Sequence, residues 1–339
     1  DVNFVGSVDN VSVKEATIKG LARVDYTDGT GSLLVEPQRT NLVTYSEDFS
    51  QWTKGSNTSL TYESDIIAPD GSLGVYRLTL PATFSTFIRS NTFANTNPLT
   101  LSVYVKSASS NNDFNLYSGT LPASPIKTAT SDWQKFDFVT EGTDMYIVND
   151  GDTFITDIYI WGAQAEAGSF LTSYIKTTGS TVTRNQDQYT KTGISDKINS
   201  EEGVLFVEMA ALSDDNTDRR ISLNDGSANN EIEIGYSRFT GSISGEVASG
   251  GSTQNINFGA TGVTQTDNNK FALSWGGGTL KFYVNGSQTN IETGITSPVG
   301  LNTLKFSKGN DTEGMFAKVK QLQVYKTALT DMQLIQLTG

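Results

Sequence analysis

The run Glu231-Ile232-Glu233-Ile234-Gly235-Tyr236 sets two carboxylates two residues apart among β-forming neighbours, and alternate residues of a strand share a face. A pair of carboxylates is what glycoside hydrolysis needs, one as nucleophile and one as acid. The next positions, Tyr236 and Ser237, supply no third acid, so the run reads as the solvated outer face of an antiparallel strand. Oxygen donors gather again in Asp214-Asp215-Asn216-Thr217-Asp218 and Asn310-Asp311-Thr312-Glu313, and hard oxygen ligands in loops suit calcium. Asp214, Asp215, Asp218, Asp311 and Glu313 are therefore the candidate calcium ligands; neither cluster has the spacing of a known calcium loop, and plain solvated turns are the alternative. A third chemistry is sugar binding, in which aromatic rings cover the apolar face of a pyranose while amides, acids and arginines bond its hydroxyls. Trp52 and Trp133 stand in polar, loop-like settings for this, with Tyr45, Tyr62, Arg77 and Arg89 in the same half of the chain. Trp161 and Trp275 lie in alternating strands and are expected in cores, and each candidate aromatic has a structural role as its alternative.

Other chemistries are excluded by composition. The 339 residues contain no histidine, which removes the commonest general base and the commonest transition-metal ligand, and no cysteine, which removes disulfides and thiolates. Without histidine a serine or threonine nucleophile lacks its usual base, and no Gly-x-Ser-x-Gly elbow occurs. Trp275-Gly276-Gly277-Gly278 precedes no helical pattern and reads as a turn, not a phosphate loop. A formal charge of −13 repels phosphate backbones and anionic bilayers, so neither nucleic acid nor membrane is an expected partner. The chain is read as non-enzymatic.

The elements that must position these residues are strands. Leu99 to Val105 and Phe154 to Trp161 alternate apolar and polar residues with period two, as do runs at Gly203 to Ala211, Glu231 to Tyr236, Phe271 to Trp275, Leu280 to Val284 and Ala317 to Tyr325. Short half-apolar strands separated by glycine, asparagine and serine predict sheets packed face to face, so the fold class is all-β, two antiparallel β-sandwiches. Asn285-Gly286 predicts a two-residue hairpin turn. Thr330 caps the one predicted helix, through Leu337. The polar stretch from Ser180 to Ser200 marks the domain boundary. Val5 to Lys14 alternates without a neighbouring hairpin partner and is expected to close a preceding module, the chain being a processed form or fragment.

Leu33-Leu34-Val35-Glu36-Pro37-Gln38-Arg39-Thr40-Asn41-Leu42, then Tyr45-Ser46-Glu47-Asp48-Phe49 and Trp52, resemble a signature of phage virion proteins, and Ile160-Trp161-Gly162-Ala163-Gln164-Ala165-Glu166-Ala167-Gly168 with Thr172 to Ile175 and Thr181 to Arg184 resemble the ending of that domain. Ala165 departs from the leucine frequent there. The resemblance implies a carbohydrate-binding-module-like jelly roll. Phe282-Tyr283-Val284-Asn285-Gly286 and Val324 to Asp331, after the strands from Gly203, are similar to a concanavalin A-like, laminin G-like lectin domain, which implies the same calcium as a possible cofactor. The expected domains are 1–30, a terminal strand of a preceding module and linker; 31–188, the jelly roll; 189–199, a linker; and 200–339, the lectin-like sandwich. Within the motif, Arg39 is expected to clamp Glu36 or a neighbouring strand and Asn41 to bond backbone in a turn, so Glu36, Arg39 and Asn41 are structural.

What the resemblance implies for function is a tail fibre, tail appendage or head fibre: an exposed, extracellular virion protein, trimeric, attached to other virion proteins and binding a host cell-surface polysaccharide. The rival reading is a set of accessory carbohydrate-binding modules from a secreted polysaccharide-degrading enzyme. A third treats the sandwiches as purely structural virion contacts.

Overall fold

In this computed structural model the described residues are 22–83, 85–119, 123–149, 154–237, 239, 241–257 and 262–339. The expected orphan strand, Val5 to Lys14, lies outside them. Two antiparallel sandwiches follow one another, as the strand spacing predicts.

The first is a jelly roll organised by one 22-residue strand, Thr96–Tyr117. Its alternation sends Leu99, Leu101, Val103 and Val105 inward, all fully buried, and Tyr104 and Lys106 outward. The first part pairs with Gln134–Gly142 and Thr156–Ala167, and the end pairs with Tyr146–Val148 and Lys127–Thr128. By running through both layers the strand folds them over a shared core with Leu78, Leu80, Ile88, Phe114, Ile158 and Ile160. The front layer runs Gln134–Gly142, Thr96–Tyr117, Thr156–Ala167, Leu73–Leu80, Ser59–Ile67.

In the second sandwich a seven-stranded sheet faces a six-stranded one. Leu205, Val207, Phe271, Leu273 and Phe282 of the first interlock with Ile221, Leu223, Ile232, Ile234 and Val247 of the second. Asn285 and Gly286 take positive φ, 47° and 80°, in the predicted hairpin turn. The helix Asp331–Thr338 begins at Thr330 with a capping box to Gln333 and buries Leu334 against the outer side of the larger sheet.

The boundary differs in detail from the sequence reading. Ser32–Val35, read as the start of the jelly roll, pairs with Ala317–Tyr325 of the second sandwich, with Leu33 opposite Val319, and Arg23–Asp25 adds outside it. Thr190–Lys191, read as linker, pairs with Thr303–Lys305. An exposed sheet edge takes any compatible strand, and a four-residue run does not encode which edge it will cover. The jelly roll instead starts with Arg39–Asn41, paired with Val182–Arg184.

The chain therefore crosses between sandwiches twice, through residues 36–38 and 185–189, and the crossings are cross-linked. Glu36 N–H donates to Asp187 Oδ2 at 2.8 Å and Asp187 N–H to the Glu36 carbonyl at 2.9 Å. Arg184 pairs with Glu36 at 2.9 Å and bonds the Pro37 carbonyl at 3.2 Å, and Arg23 pairs with both Glu36 and Asp187. Two short bonded tethers hold the sandwiches in one orientation.

Candidate glycan-binding face and the buried carboxylate cluster

On the outside of the front layer, register sets Thr61, Arg77, Tyr159 and Lys106 in one row. The next row carries Trp161, Tyr104 and Lys135. Trp161 is 3% exposed beneath Tyr104 and Tyr174, with ring centroids 5.6 and 4.7 Å away. Beside these rows Trp133, Tyr104 and Lys106 line an open cleft of about 600 Å³, closed on its far side by Asp65 to Pro69. Trp133 is half-buried, and its indole N–H donates to the Ile67 carbonyl at 2.8 Å, which fixes the ring against that loop. Among the described residues no carboxylate lies within ion-pair distance of Lys106. A rigid aromatic wall with an ammonium and a carboxylate beside it matches the two-sided chemistry of a sugar ring, apolar on one face and hydroxyl-bearing at its rim.

Of the sugar-binding residues expected from the sequence, only Trp133 lines this cleft. Trp52 is 5% exposed in the core, against Phe49 at 4.9 Å, with its N–H on the Tyr45 carbonyl at 2.9 Å, so it has no face for a ligand. Polar neighbours in sequence concealed that the short turn Phe49–Gln51 tucks its ring inward. Tyr62 is exposed on the edge strand, ring to ring with Tyr76 at 5.3 Å. Arg77 is on the correct layer but is held by Asp157 through two bonds of 2.8 Å, which in turn keep the Asp157 carboxyl below its usual range. Arg89 is on the other layer, 5.8 Å over the Tyr146 ring. Tyr104 and Lys106 were missed. Their signal was present, since both occupy the polar parity of the Leu99–Val105 alternation.

The signature residues form a buried polar network. Asn41, fully buried, donates to the Ala163 and Ile175 carbonyls at 3.1 and 2.8 Å and accepts from Val43 and Ala165 N–H, both at 3.1 Å. Glu166 accepts from Gln164, from Thr172 N–H and from the Thr172 hydroxyl. Arg39 lies 3.8 Å from Glu166 and over the Phe170 ring at 4.8 Å, so Arg184 and Arg23, not Arg39 as expected, clamp Glu36. Gly168, at φ 139°, lets the Arg39 guanidinium approach to where a Cβ would stand 2.5 Å away.

In the second sandwich Glu231 and Glu233 lie on the outward side of the smaller sheet, yet they are 1% and 0% exposed, not solvated as expected. The segment after Lys305 folds over them: Gly309 N–H donates to Glu231 at 2.8 Å, and Ser222 Oγ bonds the Ser307 carbonyl. A neighbouring strand supplies the additional acid, Glu246, directly across from Glu233. Arg220 pairs with Glu233 at 3.1 Å and Glu313 at 3.4 Å, and Lys308 reaches Glu233, Glu246 and Glu313 at 3.4 to 3.9 Å. Burial raises the Glu233 carboxyl to about 7. Burial opposes the Lys308 charge, but the surrounding carboxylates, Glu233 foremost, hold its ammonium above the usual range. Carboxylates so covered are closed to a substrate.

The acids expected to bind calcium have basic partners: Asp215 pairs with Arg219, Asp218 with Arg220, Asp311 with Lys305 at 2.8 Å, and Glu313 with Arg220. Asp214 accepts from Gly241 N–H at 3.3 Å. Among the described residues no group of three or more His, Cys, Asp or Glu side chains is arranged to hold a metal. Melting temperatures in millimolar calcium and in chelator are expected to coincide, and a rise of several degrees with calcium would return these loops to candidacy.

Residues 205–334 match the profile of the concanavalin A-like lectin/glucanases superfamily. The second sandwich is thus concanavalin A-like, following a jelly roll, and the chain is an all-β protein of lectin-like architecture. No curated protein matches. Among solved structures, the Ruminococcus gnavus IT-sialidase CBM40 bound to α2,3-sialyllactose is 18% identical, with 42% of this chain and 84% of that one covered and a TM-score of 0.36. The K499G mutant of NanB sialidase from Streptococcus pneumoniae is 18% identical over 44% of this chain and 27% of that one, TM-score 0.37. Domain 4 of AbnA, a GH43 extracellular arabinanase from Geobacillus stearothermophilus, in complex with arabinotriose, is 10% identical over 89% and 100%, TM-score 0.26. At these scores no functional conclusion rests on the structural likenesses.

Proposed function

We propose that this chain is a non-catalytic glycan-binding protein of a phage virion, exposed on a fibre, tail or capsid surface and attaching the particle to host surface polysaccharide. The observation that carries the glycan reading is the open cleft of Trp133, Tyr104 and Lys106 on the front layer of the jelly roll. The match of residues 205–334 to a lectin and glucanase superfamily supports it, and the occluded Glu231–Glu233 pair supports a binding role over hydrolysis. The virion assignment, with trimeric self-association, is supported by the resemblance of Leu33 to Trp52 and of Ile160 to Arg184 to virion signatures.

The test is binding of the fluorescently labelled chain to candidate host cells, with purified surface polysaccharide as competitor. Binding should be competed away, and Trp133→Ala should weaken it at least about tenfold, equivalent to about 1.4 kcal/mol, with unchanged melting. Full binding by the folded variant removes the cleft from the proposal. Release of reducing ends from the polysaccharide contradicts the non-catalytic role. Antibody labelling of purified particles separates a virion protein from accessory modules of a secreted enzyme.

A further inference from the structure

We infer that the ligand is an internal stretch of a polysaccharide, laid in one groove that both sandwiches build, and not a terminal sugar held by the jelly roll alone. This rests on the glycan reading above. Tyr104, which walls the Trp133 cleft, also lines a second open cleft, of about 740 Å³, between the sandwiches. The jelly roll contributes Lys135, Asp137 and Phe170 to it, and the second sandwich contributes Leu212, Thr266 and Lys318.

The two clefts are consecutive along the strands. Trp133, Lys135 and Asp137 are alternate residues of one segment, and Lys106 and Tyr104 are alternate residues of the strand beside it, with Lys135 opposite Tyr104. Alternate residues on a strand share a face about 7 Å apart, so the path from Trp133 past Tyr104 to Asp137 covers roughly 14 Å before it reaches the opposing sandwich. Lys135 packs over the Tyr104 ring at 5.5 Å, with its ammonium on the Thr172 carbonyl at 2.8 Å, and forms the floor where one cleft meets the next. A bound chain needs both walls at a constant separation. The doubly crossed junction of Glu36, Arg184 and Asp187 supplies that constancy, because neither sandwich can swing without breaking it.

The experiment measures affinity of the full-length chain for oligosaccharides from disaccharide to decasaccharide, prepared by partial acid hydrolysis of the surface polysaccharide of a bound cell. Affinity should climb with length and then level off. Trp133→Ala should weaken every oligomer, whereas Thr266→Trp, at an exposed position on the far wall, should change decasaccharide affinity about tenfold or more and leave the disaccharide unaffected. Equal affinity for short and long oligomers, or a Thr266→Trp chain identical to the parent for both, overturns the composite groove while leaving glycan binding intact. Absence of binding to any oligomer and to the parent polysaccharide overturns both.

Discussion

Replacing Asn41 with alanine should destabilise the jelly roll by about 4 kcal/mol, against the ~1 kcal/mol of an average substitution. Its amide is fully buried and makes four hydrogen bonds, two donated and two accepted, joining the entering strand to the Ala163–Ala165 bulge and to Ile175. Alanine leaves the Val43 and Ala165 N–H groups without their acceptor in a site too tight for an easy replacement, and each orphaned buried group costs about 1–3 kcal/mol. Set against a typical total of about 5–15 kcal/mol, this is a large share of stability. Calorimetry of the full chain should show the melting transition fall by about 10 °C. A fall of under about 3 °C would mean that the network tolerates the loss, and that Asn41 is retained for something other than folding. Asn41→Asp keeps the acceptor but loses both donated bonds and buries a charge, so it should be no milder.

The second large effect is a gain. Glu233→Gln should raise stability at pH 8 by up to about 3 kcal/mol and leave it nearly unchanged near pH 4.5. Burial raises the folded-state carboxyl to about 7 from an ordinary 4.5, so between these values the folded chain holds a proton that the unfolded chain releases. The stability tied to Glu233 is therefore fully present below about pH 4.5 and is lost as pH rises through about 7; roughly 2.5 units at about 1.4 kcal/mol each gives the 3 kcal/mol. Arg220 and Lys308 offset part of the burial cost, while Glu246 and Glu231 add to it, and Glu233 Oε2 has no hydrogen-bond partner to repay its desolvation. Glutamine ends the titration, and Arg220 keeps Asp218 and Glu313. Glu231, also raised by burial, leaves a weaker slope of the same sign in the variant. Denaturant melts of both chains from pH 4.5 to 8 decide the matter: parallel curves would show that Glu233 does not titrate in this range.

Much of this molecule is legible in order along the chain. The alternation at Leu99 to Val105 and Glu231 to Tyr236 specifies strands because a two-residue period is a local property of the backbone. The same holds for the Asn285-Gly286 turn and the Thr330 cap, where a side chain meets backbone only a few residues away. The binding face was harder to see. Trp133 stood out by type, but Tyr104 and Lys106 become its neighbours only when two strands about thirty residues apart pair, and Trp52 lost its candidacy to a core contact that its polar surroundings concealed.

The sequence by itself determined the all-β class, two sandwiches, the local turns and cap, and, through the missing histidine and cysteine, the chemistries this chain cannot perform. Tertiary structure alone decided which sheet edge Ser32–Val35 would complete, that Glu233 would be sealed under the segment following Lys305, and that Tyr104 would stand where two clefts meet. The physical reason is the range of the interactions. Strand period and turn geometry act over a few bonds, whereas edge pairing, burial of charge and the shape of a groove are set by residues from distant parts of the chain, and only packing chooses among them.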